Sequence, residues 1–411
     1  MPEDLDMNET LYTWLTEGLA GYSWLGLALA FAVMAQATIL SVTIYLHRCM
    51  AHRGVDLHPL VSHPMRFWLW MTTAMVTKEW VAIHRKHHAK CETEEDPHSP
   101  QVYGIGTVFF EGVELYRKAA HDTPAIEQYG AGCPTDWVER NVYARFREMG
   151  PTLLLFIEVA AFGVIGVAFW ALQMLVIPVL AAGTINGIGH WWGYRNFETD
   201  DTATNITPWG LIAGGEELHN NHHAFPSSAR FALRRFEFDI GWAVLRVLQT
   251  VGLAKVRRVA PQLDVRPNIQ LPDADTLRAL MVHRYKVMTD YFSGVILPTW
   301  REEAREAGES IRMLPRRMRR AMVNGGRWLE EDARERLNVW IKERPRLADV
   351  FEYRSRLRAI YDRSGHNADA MLESLRQWCR EAEASGNRAL EQFAYRLKGY
   401  ALVPAPAVAA A

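Results

Sequence analysis

The chain has 411 residues, and its 46 Lys and Arg nearly balance its 47 Asp and Glu for a formal net charge of −1. That balance excludes the basic surface of a nucleic-acid binder and a long acidic tail, while the length admits two or more domains. Averages hide a contrast, because long apolar runs precede residue 190 and the region after 275 is rich in Arg and Glu.

Residues 1–19 form a short acidic segment (Glu3, Asp4, Asp6, Glu9) without the basic start or small-residue cleavage site of a signal peptide, so the apolar run behind it is expected to be retained. From Ala20 to Leu46 no side chain is charged. A hydrocarbon core of about 30 Å takes roughly 20 helical residues, so this run is predicted to cross. The next apolar stretch, Arg66 to Ile83, carries Lys78 and Glu79. Parity decides its fate: His47 leaves the first span and His84 leaves this stretch, and the two share a face only if 66–83 does not cross. An amphipathic, non-crossing helix is therefore expected. Val102 to Gly150 reads as a cap, with a charged helix around Glu139–Glu148. Pro151 to Trp192 reads as a hairpin of two spans, about 151–171 and 173–192, with its tip near Trp170 to Gln173.

Gly193 to Gly215 is rich in Asp, Thr, Asn and Gly and is expected to be an extended loop. An amphipathic helix is predicted at about 240–254, ending a membrane domain of residues 20–260. A Pro-punctuated linker (261–274) precedes a soluble helical extension over 275–403, which contains a basic run from Arg312 to Arg320. The Ala- and Pro-rich end, 404–411, is expected to be disordered. Cations after the first span and acids before it place the capped face in the cytoplasm. Cys49, Cys91, Cys133 and Cys379 show no CxxC spacing and read as free thiols. The fold class is all-α: an integral-membrane helical bundle with a cytoplasmic histidine-rich cap and a soluble helical extension.

The chemistry lies in histidines. His84, His87 and His88 sit at i, i+3 and i+4, the spacing by which a helix aims rings at one spot. The same HxxHH pattern returns at His219, His222 and His223, and His47 and His52 precede both. Five residues apart, His47 and His52 diverge on a straight helix, so a bend or stop is expected between them. Asn186 and His190, at i and i+4, form a polar pair at the end of the last span, where such a pair points to function or to an interhelical hydrogen bond. His58, His63, His98, His121, His283 and His366 are taken as structural. Eight or nine imidazoles exceed the roughly four ligands of one zinc, so two metals fit better. Imidazole suits zinc, copper, iron and nickel, and a nitrogen-rich pair at a membrane mouth favours redox chemistry, with iron and dioxygen the choice. Glu216 and Glu217 are candidates for orienting ligands or for capping a helix.

The strings HRCMAH (47–52), EWVAIHRKHH (79–88), DPH (96–98), NGIGHWWGYR (186–195) and GEELHNNHHAFP (216–226) resemble, in order, the integral-membrane fatty acyl desaturases, specifically the acyl-CoA delta-9 (stearoyl-CoA type) branch and its bacterial members. That resemblance implies a di-iron site, two Fe ions, with ligands His47, His52, His84, His87, His88, His190, His219, His222 and His223, and Asn186 holding a metal-bound water. It implies a bent acyl tunnel with Trp80 at its wall, and Arg117 and Lys118 on the CoA phosphates. Ala82–Ile83 replace the Arg–Asp pair of the animal enzymes. The implied activity is oxygen-dependent insertion of a cis double bond in saturated fatty acyl-CoA, in lipid metabolism and fatty acid biosynthesis, at the cytoplasmic face of a bacterial inner membrane. No haem-binding HPGG loop, ferredoxin cysteines or GxGxxG is found, so a separate ferredoxin, flavoprotein reductase or cytochrome is implied as electron donor. The stretch Leu375 to Tyr400 faintly resembles the end of some bacterial transposases. The rivals are a di-iron fatty acid or alkane hydroxylase and a non-catalytic membrane metal-binding or transport protein.

Overall fold

The computed structural model describes residues 7–308, 318, 321–323, 326, 329–362 and 367–403. The chain is mostly helical and divides into two units, one of residues 1–195 and 201–260, the other of 196–200 and 261–411.

In the first unit, helix α1 (Met7–Glu17) is followed by α2 (Trp24–Ala51). Ser23 starts α2, its hydroxyl accepting from the Gly26 N–H at 3.1 Å. The last ten residues, Val42–Ala51, wind as a π-helix. Helices α3 (Pro59–Thr73) and α4 (Thr77–Lys90) come next. The expected continuous helix over 66–83 is thus two, because Ala74 takes a left-handed turn (φ 57°) and Thr73 Oγ1 accepts the Met75 N–H. Neither is among the helices long and apolar enough to cross a membrane.

Short helices Pro100–Tyr103, Ile105–Phe110, Gly112–Ala120 and Thr123–Tyr129 occupy the stretch read as a cap. In place of a charged helix at 139–148, a single π-turn (Glu139–Tyr143) leads through turns into α5 (Met149–Phe162). Helix α6 (Ile165–His190) is regular to Ile177, π-helical over Pro178–Gly187 and tight over Ile188–His190. The hairpin therefore turns at Gly163–Val164, not near Trp170–Gln173. Gly163 has φ +66°, and a Cβ there would lie 2.3 Å from the Leu15 carbonyl oxygen, so only glycine lets α1 close over the turn. Dividing an apolar run at its midpoint could not locate this bend.

Among the described residues, helix α2, of 28 residues, and α6, of 26, are the two long and apolar enough to cross a membrane; α5 is apolar and shorter. After α6, a loop held by bridges Tyr194–Asn205 and Asn205–Leu218 delivers α7 (His219–Ala224), and α8 (Ile240–Thr250) follows. Strand Val55–Leu57 pairs antiparallel with Ala254–Val256, which ties the end of the unit back to the first histidine-bearing helix.

The second unit has its own apolar core, with Tyr291, Trp378 and Phe393 packed edge to face. The stretch expected as a linker is part of this unit: Leu263–Val265 pairs antiparallel with Tyr400–Leu402. Most of the basic run at 312–320, His366 and the tail after 403 lie outside the described residues.

Candidate metal centre

Nine imidazoles come together in two groups: His47, His52, His84, His88 and His222 in one, and His87, His190, His219 and His223 in the other. All three sequence clusters and His190 meet, as the parity argument requires of a shared site. Each HxxHH box is divided between the groups. On α4, His84 and His88 face one group and His87 the other; on α7, His219 and His223 face one and His222 the other. Residues at i+3 and i+4 stand about 100° apart around a helix, on either side of residue i. One box therefore reaches two centres rather than one spot.

His47 and His52 join the same group because α2 widens into a π-helix that stops at Ala51, between them, as their spacing requires. Hydrogen bonding in a π-helix runs from i to i+5, and the His52 N–H donates to the His47 carbonyl at 3.0 Å, stacking residues five apart.

The Nε2 atoms converge. His47 and His222 approach to 3.0 Å, His52 and His84 to 2.8 Å, His88 and His222 to 2.9 Å. In the second group His190 lies 3.2 Å from His87 and 3.0 Å from His219. Such separations suit neighbouring nitrogens each about 2.1 Å from one ion. The outer nitrogens fix the tautomers. His47 Nδ1 donates to Glu216 at 2.7 Å, His87 to Asp96 at 3.0 Å, His190 to Glu92 at 3.1 Å and His223 to Asp201 at 2.8 Å. With Nδ1–H committed, each Nε2 is a bare lone pair. That of His223 is buried without a hydrogen-bond partner, and lone pairs facing one another in a dry interior are stabilised only by a cation. The donor set thus fits two nitrogen-ligated metal ions.

Burial and neighbouring imidazoles push His52, His84, His88, His219, His222 and His223 well below the usual imidazole range, which keeps them neutral and ready to ligate. Burial acts on His87 too, but the charge and hydrogen bond of Asp96 outweigh it and raise that ring. In an unfolded chain all seven titrate near pH 6.5. Below that pH the unfolded state takes up protons that the six depressed rings refuse, so folding stability falls as pH drops. His87 works in the opposite sense and is outnumbered. The unfolding midpoint of chelator-stripped protein should accordingly fall between about pH 7 and about pH 5; a flat or rising midpoint would refute this account.

Around the groups, Trp80 lies flat on His84, 5.0 Å away at 10°. His98, taken from sequence as structural, stacks on His87 at 4.4 Å, with its pKa lowered to about 3 by burial and by His87. Asn186 is half-buried on α6, one turn before His190, and makes no side-chain hydrogen bond to the described residues. Arg117 and Lys118 are exposed on the helix Gly112–Ala120; Arg117 reaches Glu114 at 3.8 Å. Of the two candidate orienters, Glu216 holds His47 while Glu217 accepts the N–H groups of Ile212, Ala213 and Gly215.

Sequence reasoning missed Thr43, which donates to Glu216 at 2.5 Å, and a buried ion pair behind the five-imidazole group. Arg48 donates to Asp239 through both terminal nitrogens (3.0 and 2.9 Å), to the Ala229 and Gly214 carbonyls, and through Nε to Thr43. Its guanidinium lies 3.9 Å over Phe231, whose ring faces His47 and His222. The adjacency of Arg48 to His47 was the only available signal.

The sequence model described as fatty acid desaturase matches residues 22–241, which contain all nine histidines. The chain belongs to the fatty acid desaturase family. It is 32% identical to the icosanoyl-CoA 5-desaturase of Limnanthes douglasii over 57% of this chain and 65% of that one, slightly under two thirds of its length. It is 31% identical to delta-9 desaturase-like 5 protein of Arabidopsis thaliana (57% of this chain, 77% of that one) and 30% identical to delta-9 acyl-lipid desaturase 2 of the same plant (52% and 69%). These relatives are plant proteins. A second model, described as transposase, matches residues 283–402 of this desaturase-family chain. Among the described residues every group of side chains able to hold a metal lies in the first unit, outside that match.

Proposed function

We propose that this desaturase-family protein is a di-iron, membrane-embedded acyl-CoA delta-9 desaturase. The observation that carries the reading is the convergence of nine imidazoles in two groups of five and four, with the Cys91 thiol beside the group of four, 3.8 Å from His87 Nε2. When bound there, two iron ions supply the redox chemistry by which dioxygen, two external electrons and two protons accept two hydrogens from adjacent methylenes, leaving an alkene and two waters.

The protein's own residues set the geometry. Glu216, Asp96, Glu92 and Asp201 hold four rings in the tautomer that presents Nε2. Trp80, flat against His84, is a wall on which an apolar chain can rest, and burial of the histidines keeps bulk water out. Asn186 is proposed to hold a metal-bound water. Arg117 and Lys118, as exposed cations, suit the phosphates of CoA.

A membrane setting is supported by the apolar side chains that α2, α5 and α6 expose, such as Leu25, Val33, Phe156, Val167 and Leu172, which in water would be a liability. We assign the protein to a bacterial inner membrane with the histidines facing the cytoplasm. Electrons come from a separate ferredoxin, flavoprotein reductase or cytochrome.

Expression in a strain lacking unsaturated fatty acids should restore growth, with the double bond of the recovered lipids at C9. Recovery of hydroxylated chains in place of alkenes, or of no new product despite iron loading, would overturn the proposal.

A further inference from the structure

The two groups are unequal in their partners. In the four-imidazole group three rings give Nδ1–H to carboxylates: His87 to Asp96, His190 to Glu92 and His223 to Asp201. In the five-imidazole group, among the described residues, only His47 does so, to Glu216. The carboxylates on the four-imidazole side are well buried, with side chains of Asp96 0%, Glu92 2% and Asp201 14% exposed. Backbone and hydroxyl groups hold them in place. Asp96 accepts from the Glu92 and His98 N–H groups, and Glu92 accepts from the hydroxyl and N–H of Thr202.

Cations fall on both sides. Behind the five-imidazole group the Arg48 charge is matched by Asp239, and Arg85 donates to the Met50 and Ala51 carbonyls just before His52. On the other side Arg195 donates to the Asp201 and Ala203 carbonyls.

An imidazole that hydrogen-bonds a carboxylate is a more basic ligand, and fixed negative charge in a low-dielectric interior favours the more highly charged form of a bound ion. Three such contacts against one is a built-in asymmetry. We propose that the two groups hold their irons at different reduction potentials, the four-imidazole group at the lower one. One-electron oxidation of the doubly ferrous centre is then localised there. In that step one electron passes from the four-imidazole iron to the oxidant, an electrode through mediators in the test below. No bond forms or breaks, and each Nδ1 proton stays between ring and carboxylate. The four-imidazole group is the first to give up an electron and the last to regain one. This inference rests on the di-iron reading above.

The test is a potentiometric titration of the full chain, purified in detergent and loaded with isotopically enriched iron, followed by Mössbauer and electron paramagnetic resonance spectroscopy. Two separate one-electron steps are expected. Asp96→Asn and Asp201→Asn each keep side-chain size and an acceptor oxygen but remove one charge on the four-imidazole side. Each should shift the lower-potential equilibrium by about tenfold toward the ferrous form and leave the higher one in place. Glu216→Gln should do the reverse. If both irons lose their electrons together, or if either Asp variant moves the higher-potential step, the proposal is overturned. Having two Asp variants keeps the comparison decisive if one of them fails to retain iron. A wild-type chain that binds fewer than two irons would instead overturn the di-iron reading, leaving the two failures distinct.

Discussion

Replacing His222 by alanine is expected to abolish alkene formation and to bring metal content below two ions per chain. The Nε2 of His222 lies 3.0 Å from that of His47 and 2.9 Å from that of His88, at the heart of the five-imidazole group, while its neighbour on α7, His223, serves the other group. Loss of an outer partner of a metal ligand costs about 10- to 100-fold in metal affinity, so loss of the ligand itself should cost more than about 100-fold. Fatty acid analysis of expressing cells, with metal determination on the purified chain, checks both effects. Retention of two metals and of the alkene by His222→Ala would show that the ring packs without ligating. His98→Ala is the matched control, since that ring stacks on His87 and belongs to neither group.

The largest effect on stability is expected at the pair behind the site. The side chains of Arg48 and Asp239 are both fully shielded from solvent, and the guanidinium makes contacts on α2, the 214–216 loop and the segment at 229–231 that faces the ligands. Removing one partner leaves a buried charge uncompensated, which costs about 3–5 kcal/mol. Asp239→Ala should therefore lower the unfolding midpoint sharply and impair loading of the five-imidazole group. Disrupting the half-exposed pair Arg257–Asp56 should change the midpoint little. Equal midpoint shifts from the two substitutions would refute the role assigned to the buried pair.

Much of the site was legible in the sequence because metal binding demands chemistry that composition cannot hide. HxxHH at 84–88 and 219–223 and the pair His47/His52 stand out at helical spacing. Parity alone brought them to one face. What stayed hidden was how ligands are shared out. A repeat of three histidines states that the rings are near each other on a helix; which ion each serves depends on where the opposing helix lies. The carboxylate partners were hidden for a different reason. Glu92 and Asp201 sit in a turn and a bend among many other acids, where nothing in their spacing separates a ring-orienting carboxylate from a solvated one, and Asp96, although part of the DPH string, carried no sign of the ring it serves. The π-helical ends of α2 and α6 were also unreadable, since a widened turn has no strong composition signal. The fold was legible where charge was absent for long runs, as in α2, and misread where a single glycine, Gly163, set the turn.

The crossed division of the two boxes bears on how the centre fills. Helix α4 contributes rings to both groups, and so does α7, and each helix is rigid over so short a length. An ion entering either group draws both helices into the register that the other group needs. Loading should thus be cooperative: at limiting metal the population should split between empty and doubly filled chains, with few holding a single ion.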